Sequence, residues 1–292
     1  MPPIGAAGTV RRQGSVNSPL SGCGAAMGSA DSSRASFHYA IALAGLLLAL
    51  AGAPAGAVPR VAVDIGHTEQ APGATSARGR SELSFNRELA LHLVEALRMR
   101  GLGAVLINAD GRIGSLRERP QRAAEAGADF LVSIHHDSVG EHELVQWYWQ
   151  GREAFYSDRW AGHSLFVSRD NPATARSVLC ARAMGARLQR MGFVPTHKNG
   201  RRRAYADHAL AVHHYDELAV LRHAAMPAVL FEAGVIRHRD EELLLADPAY
   251  QARMADGLAT AIAACLLAGE PAEDEAAADA RGADRRSAPG GN

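Results

Sequence analysis

The chain has 292 residues, 47% of them apolar, and carries 31 basic against 31 acidic side chains. That length and apolar share can bury a sizeable core in one large domain or two small ones, which sets aside a wholly disordered chain. A formal charge of zero leaves no electrostatic footprint for nucleic acid, and none is expected as a partner.

In chain order, the first feature is the uncharged run FHYAIALAGLLLALAGAPAGA, from Phe37 to Ala57, preceded by Asp31 and Arg34. It reads as a secretory signal with Ala55-Gly56-Ala57 as the A-x-A cleavage site; a retained anchor helix is the alternative. Either way the domain is expected to be exported, to a periplasm or cell envelope, with no stable membrane association once the signal is cleaved. The Gly- and Ser-rich segment before Met27, which includes Cys23, makes an unusually long leader and is excluded from fold reasoning. Residues 1–57 are therefore assigned to the extension and signal, 58–269 to the folded body, and 270–292 to a disordered tail without large apolar residues.

Within the body, RVAVDIG predicts a strand, followed by a loop rich in Gly, Pro and Ser from Thr68 to Arg80. Leu83, Ala90, Leu93, Val94 and Leu97 then recur at helical spacing, with Ser81 as N-cap and Gly101 as the stop. AVLIN predicts a second strand and Ser115–Ala126 a helix, with Pro120 near its start; DFLVSIHH predicts a third strand. Further on, LVQWYW, SLFVS and ELAVL read as strands, Ala173–Met191 as a helix, PAVLFEAG as a strongly apolar strand, and Pro248–Leu267 as a long helix. Strands alternating with helices imply an α/β fold built from right-handed βαβ units around a mostly parallel sheet. Cys180 and Cys265 fall in helical patterns, and the sequence leaves open whether they are bonded or buried free thiols.

Three apolar strands end on chemically capable residues: His67, the pair His135 and His136, and Glu232. Open α/β sheets bind ligands outside the carboxyl ends of their strands, so these residues converge on one edge, joined by Glu82 at the start of the first helix. Two histidines and a glutamate with one open position match the donor set of a catalytic zinc site, and a second glutamate can serve as general base and then acid. Singly, each residue has an ordinary reading. His67 reads equally as a capping or loop residue, and Glu82 as a first-turn carboxylate favoured by the helix dipole. A carboxylate at the end of an apolar strand, as at Glu232, is harder to dismiss, because it is rarely buried without a partner.

These residues sit in motifs that resemble the type-3 family of zinc-dependent N-acetylmuramoyl-L-alanine amidases. VAVDIGHTEQAPGA is similar to the family's strand leading into D-x-G-H-G-G-x-D-x-G-A, and SELSFN to its E-x-x-x-N helix start. LRERPQRAAEAGADFLVSIHHDS resembles its L-x-x-R…A-N-x-x-x-A-D…S-I-H-A-N segment, and MPAVLFEAGVIRHRDEELLL its P-A-V-L-x-E-x-G-F-x-S-N-x-x-E segment. The resemblance implies a single α/β domain with a six-stranded sheet. It implies one zinc ion per chain on His67, Glu82 and His135, and Glu232 as the catalytic glutamate. The implied reaction is hydrolysis of the amide between N-acetylmuramic acid and L-alanine of the peptidoglycan stem peptide, by a monomer that in some family members answers to an activator protein. Two departures stand out: Thr68-Glu69 replaces the usual two glycines, and His136-Asp137 replaces Ala-Asn. His136 competes with His135 as a ligand, but neighbouring strand residues point to opposite faces, and His135 is favoured.

Two other stretches are chemically distinctive. All three tryptophans lie between Trp147 and Trp160 with Tyr148, Phe155 and Tyr156, as the packed core of an insertion or as an aromatic wall for glycan or peptide. HKNGRRRAYADH is either a solvated basic face or a loop in which Arg201, Arg202 or Arg203 grips stem-peptide carboxylates. Rival functions for the whole are a zinc peptidase cutting within the stem peptide and a cell-wall-binding module without turnover.

Overall fold

The structure, a computed structural model, describes residues 57–267. The signal run up to Gly56, Cys23 and the tail beyond residue 267 lie outside the described residues. The elements in chain order are β1 (Arg60–Ile65), α1 (Glu82–Arg98), β2 (Gly103–Ile107), α2 (Glu118–Glu125) and β3 (Phe130–Asp137). A hairpin of β4 (Val145–Trp149) and β5 (Arg152–Tyr156) follows, then β6 (Ser164–Val167) and α3 (Thr174–Arg190). The chain continues through β7 (Tyr205–Asp207), β8 (Val212–His214), α4 (Ala219–Arg222), β9 (Ala228–Val235), α5 (Arg239–Leu245) and α6 (Pro248–Leu267).

Seven strands form one sheet in the order β2-β1-β3-β9-β6-β8-β7. β1 pairs in parallel with β2 and β3, β3 with β9, and β6 with β8; β6 runs antiparallel to β9 and β7 to β8. The sheet is thus mostly parallel, as alternation implies, and has one strand more than the six expected. β7 and β8 are three residues each, YAD and VHH, with no apolar run to announce them.

Period-two alternation sorts the strand side chains onto two cores. Val61, Val63, Ile65, Val132, Ile134, Val229 and Phe231 face one side and pack with Leu89, Leu93, Met184, Leu258 and Ile262 of α1, α3 and α6. Ala62, Leu131, Phe166 and Leu230 face the other side with Ala123 of α2 and Val220 and Leu221 of α4. The strands in the middle are therefore buried on both faces, which is why β1, β3 and β9 read as continuous apolar runs.

Two expectations are corrected. ELAVL is not a strand: its last residues form α4, in which the N–H groups of Leu221 and Arg222 donate to the Leu218 carbonyl. A short apolar run cannot by itself distinguish a buried strand from a buried helical turn. The second helix begins at Glu118 rather than Ser115, leaving Pro120 inside its first turn, where its missing N–H is no loss. At α1, Ser81 occupies the N-cap position in an extended conformation but makes no side-chain cap. Loop carbonyls replace it: Glu82 N–H donates to Ala74 and Leu83 N–H to Pro72. Cys180 of α3 and Cys265 of α6 are bonded to one another, resolving the alternative left open by the sequence.

Candidate metal centre

β1 delivers His67 to the carboxyl edge of the sheet through a turn that needs support. His67 has a φ of 72°, in the left-handed region that a β-carbon disfavours. Its carbonyl accepts hydrogen bonds from Asn108 Nδ2 (2.7 Å) and Arg119 Nη2 (2.7 Å). The same two side chains donate to the Ile65 carbonyl, at 2.7 and 2.9 Å. Arg119 is in turn fixed by Asp64 at 3.3 Å, and Asp64 accepts from Ser133 Oγ at 2.6 Å. Asp64 and Arg119 are fully buried, so this charged pair is a brace under the turn and not a surface ion pair. Sequence reading missed the brace. Its signal was present: an aspartate inside the apolar strand VAVDIG requires a buried partner.

α1 and β3 supply the other two donors. Glu82, in the first turn of α1, receives His67 Nε2 at Oε2 (2.9 Å) and His135 Nδ1 at Oε1 (3.0 Å). Burial pushes the Glu82 carboxyl up, but the hydrogen bonds from His135 and His67 outweigh it and hold the group well below the usual carboxylate range. One ligand atom from each of His67, Glu82 and His135 lies within 4.8 Å of the others. Tetrahedral zinc with ligands at 2.0–2.1 Å requires donors about 3.3 Å apart, so the set fits the ion with small rotations. The backbone makes room for it. A β-carbon at Gly66 would collide with the His135 ring, and one at Gly73 would come within 2.6 Å of His67 Cδ2 and against Glu82 Oε2.

His136 goes elsewhere. It projects to the opposite face of β3, where Nδ1 meets Asn86 Oδ1 at 2.8 Å and the ring lies 5.4 Å from that of Phe85. Burial pushes its imidazole down to about 3. Only His135 of the adjacent pair shares the cluster.

Glu232 of β9 is the register partner of His135 on β3, which places it one strand away on the same face. Its Oε2 is buried and has no hydrogen-bond partner among the described residues. Burial, reinforced by the charges of Asp137 and Glu82, raises its carboxyl well above the ordinary range, with Lys198 acting the other way. It borders a cavity of about 340 Å³ shared with Asp137, Phe166, Lys198, Arg202, Arg203 and Tyr215. Glu232 as a residue is half-buried, but its shielded and unpartnered Oε2 faces the cavity side of the sheet beside three convergent donors, a placement from which a carboxyl can exchange a proton with something that enters.

The aromatic hairpin packs back on the domain. Trp147 donates its indole N–H to the Ala77 carbonyl (3.1 Å), Arg78 lies 4.7 Å from the centroid of Trp149, and Arg239 lies 3.7 Å from that of Tyr156. Trp147, Trp149 and Tyr156 thus form a packed insertion, whereas Trp160 lines a second cavity of about 110 Å³ with Arg159, Arg201 and Arg202.

The model of the Amidase_3 family, N-acetylmuramoyl-L-alanine amidase, matches residues 61–264. The chain belongs to this family. Its fold is similar to the catalytic domain of CwlV, an N-acetylmuramoyl-L-alanine amidase from Bacillus (Paenibacillus) polymyxa var. colistinus, at 26% identity and a TM-score of 0.55, covering 72% of this chain and 98% of that one. The amidase Ami1 of Mycobacterium smegmatis gives 21% identity and a TM-score of 0.58, over 71% and 96% of the two chains. The CwlD amidase of Clostridioides difficile, in complex with the GerS lipoprotein, gives 20% and 0.55, over 71% and 98%. No curated protein matches the sequence. Family membership makes the chain an amidase of the peptidoglycan-hydrolysing kind.

Proposed function

We propose that residues 58–269 form a zinc amidase domain that hydrolyses the bond between N-acetylmuramic acid and L-alanine. His67, Glu82 and His135 would hold one zinc ion, and Glu232 would be the catalytic acid–base. The observation that carries this reading is the pairing of a three-donor cluster with a carboxyl on the neighbouring strand whose Oε2 is shielded and unpartnered. Zinc bound there supplies Lewis-acid polarisation of the scissile carbonyl and acidifies a water molecule. Glu232 takes the proton from the attacking water, holds it in a pocket where burial favours the neutral carboxyl, and passes it to the departing L-alanine nitrogen. The braced turn fixes the His67 donor before substrate arrives, which limits reorganisation during the reaction.

The signal-like run and the bonded pair Cys180–Cys265 support the reading that the domain is exported to the cell envelope, since disulfides persist in oxidising compartments. None of the helices among the described residues is long and apolar enough to cross a membrane. A monomer acting on peptidoglycan, with an activator as partner, is the simplest assembly; the CwlD–GerS complex supports an activator by analogy.

The deciding variant is Glu232→Gln, which keeps shape and volume but can neither accept nor return the proton. It is expected to bind zinc as the parent does and to release stem peptides about 10²–10⁴-fold more slowly. Metal content and mass analysis of digested peptidoglycan read the two properties separately. Unchanged turnover would remove Glu232 from catalysis, and lost zinc would make it a ligand. Shortened peptides in the parent digest would indicate a stem peptidase, and an unaltered digest a binding module.

A further inference from the structure

The geometry points to a carboxylate-binding subsite beside Glu232, built by Arg202 and Arg203, that selects stem peptides bearing a free acid over those in which that acid is amidated. The inference rests on reading the site as a peptidoglycan amidase and specifies which peptide it takes.

The basic loop is anchored to the catalytic edge and does not lie on a remote solvated face. Lys198 Nζ lies 2.9 Å from Asp137 Oδ1, and Asn199 Nδ2 donates to Asp137 Oδ2 at 3.0 Å and reaches Ser164 Oγ at 3.4 Å. Asp137 ends β3, and Ser164 is the register partner of Glu232 on β6. The loop is therefore tied on either side of the catalytic strand. Asp137 stands where the family usually has Asn, so its pairing with Lys198 neutralises a charge this chain introduces.

That pairing leaves the arginines free for a ligand. Among the described residues neither Arg202 nor Arg203 has a carboxylate partner, yet both line the 340 Å³ cavity with Glu232. Arg203 is half-buried and stacks with its guanidinium 3.0 Å from the Tyr215 ring centroid, while its backbone N–H donates to Asn199 at 3.1 Å. A stacked guanidinium has lost much of its rotamer freedom before anything binds, and its planar fork matches a carboxylate with two parallel hydrogen bonds. Arg202 borders this cavity and the adjoining one at Trp160. Three cations against two carboxyls, one of them paired, make the lining net attractive to an anion. Pocket dimensions near 300 Å³ and above are those of small-ligand sites, so about one amino-acid unit with its carboxylate can enter.

The probes are L-alanyl-D-glutamate blocked as its γ-methylamide, which bears one free α-carboxylate, and the same compound with that carboxylate converted to the α-carboxamide, titrated calorimetrically into the full chain as isolated with its metal. The acid is expected to bind about tenfold more tightly than the amide, the equivalent of one charge-assisted hydrogen-bonding pair. The double variant Arg202→Gln, Arg203→Gln should bring the two affinities within about twofold of each other, and the single variant Arg203→Lys should retain only part of the parent's preference, since a point charge lacks the fork. Equal affinities in the parent, or a preference that survives the double variant, would overturn the subsite. Cleavage of muramyl-dipeptide is followed separately. A parent that discriminates acid from amide but does not cleave retains the subsite and loses the amidase reading; a parent that cleaves both forms with equal affinity does the reverse.

Discussion

At the scale of single residues, the candidate centre is held by groups that never touch a metal. His67 could relax out of its left-handed conformation if its carbonyl and that of Ile65 were released, and four hydrogen bonds from Asn108 and Arg119 prevent this. The two supports differ in character. Arg119 is locked to buried Asp64, so its removal would strand a charge and unfold the region at a typical cost of about 3–5 kcal/mol, which says little about positioning. Asn108 is neutral and itself has a φ of 61°, a conformation glycine adopts without strain. Asn108→Gly therefore deletes the hydrogen bonds to Ile65 and His67 while the backbone stays relaxed. It is expected to lower zinc affinity about 10–100-fold, the range seen when outer-shell partners are removed, with the thermal midpoint only modestly reduced. Competition with a chelator measures the affinity. An unchanged constant would show that Arg119 alone fixes the turn.

At the scale of elements, the strands that carry the candidate site residues are also those legible in the sequence. β1, β3 and β9 are buried on both faces and so appear as apolar runs, and a His or Glu at the end of such a run is conspicuous because the environment otherwise excludes it. β7, β8 and α4 were not legible, since each is three or four residues long and its burial comes from tertiary packing, not from a period of its own. Asn108 and Arg119 were hidden for a different reason. Their partners are backbone carbonyls some 41 to 54 residues away, which no local pattern encodes. The junction of β1 with its loop shows how tightly the legible part is built. Gly66 does not have a positive φ, so alanine there is strained only by what its β-carbon meets, and it would meet the ring of His135. Gly66→Ala is expected to displace that ring and abolish stoichiometric zinc, at an overpacking cost of about 1–3 kcal/mol that leaves the domain folded. Circular dichroism together with metal analysis checks both halves. A folded variant with full zinc would mean that the ring has another place to go.

At the scale of the whole molecule, the two faces of the sheet divide the work. The face under α2 carries the brace and the cavity that Glu232 borders, and the face under α1, α3 and α6 carries the larger core. The disulfide belongs to the second face: it joins α3 to α6, and α6 packs on both α1 and α3. The bridge closes a loop spanning 85 residues of sequence separation. Chain-entropy reasoning sets the stabilisation from restricting the unfolded chain at about 4.5 kcal/mol, and measured values for native bridges commonly fall at about 2–5 kcal/mol. Both sulfurs are buried, so a double replacement by alanine also removes packed atoms and would overstate the effect of the cross-link alone. The comparison that isolates it is the parent, oxidised against fully reduced, with Cys180→Ala/Cys265→Ala as a second reference. The oxidised parent is expected to unfold at a higher denaturant midpoint by an amount equivalent to about 2–4 kcal/mol, and the reduced parent should lie close to the variant, separated by the small packing loss. Zinc content should be the same in all three, because the bridge and the donor cluster share no residue. A reduced parent as stable as the oxidised one would show that α6 is held by its apolar face alone.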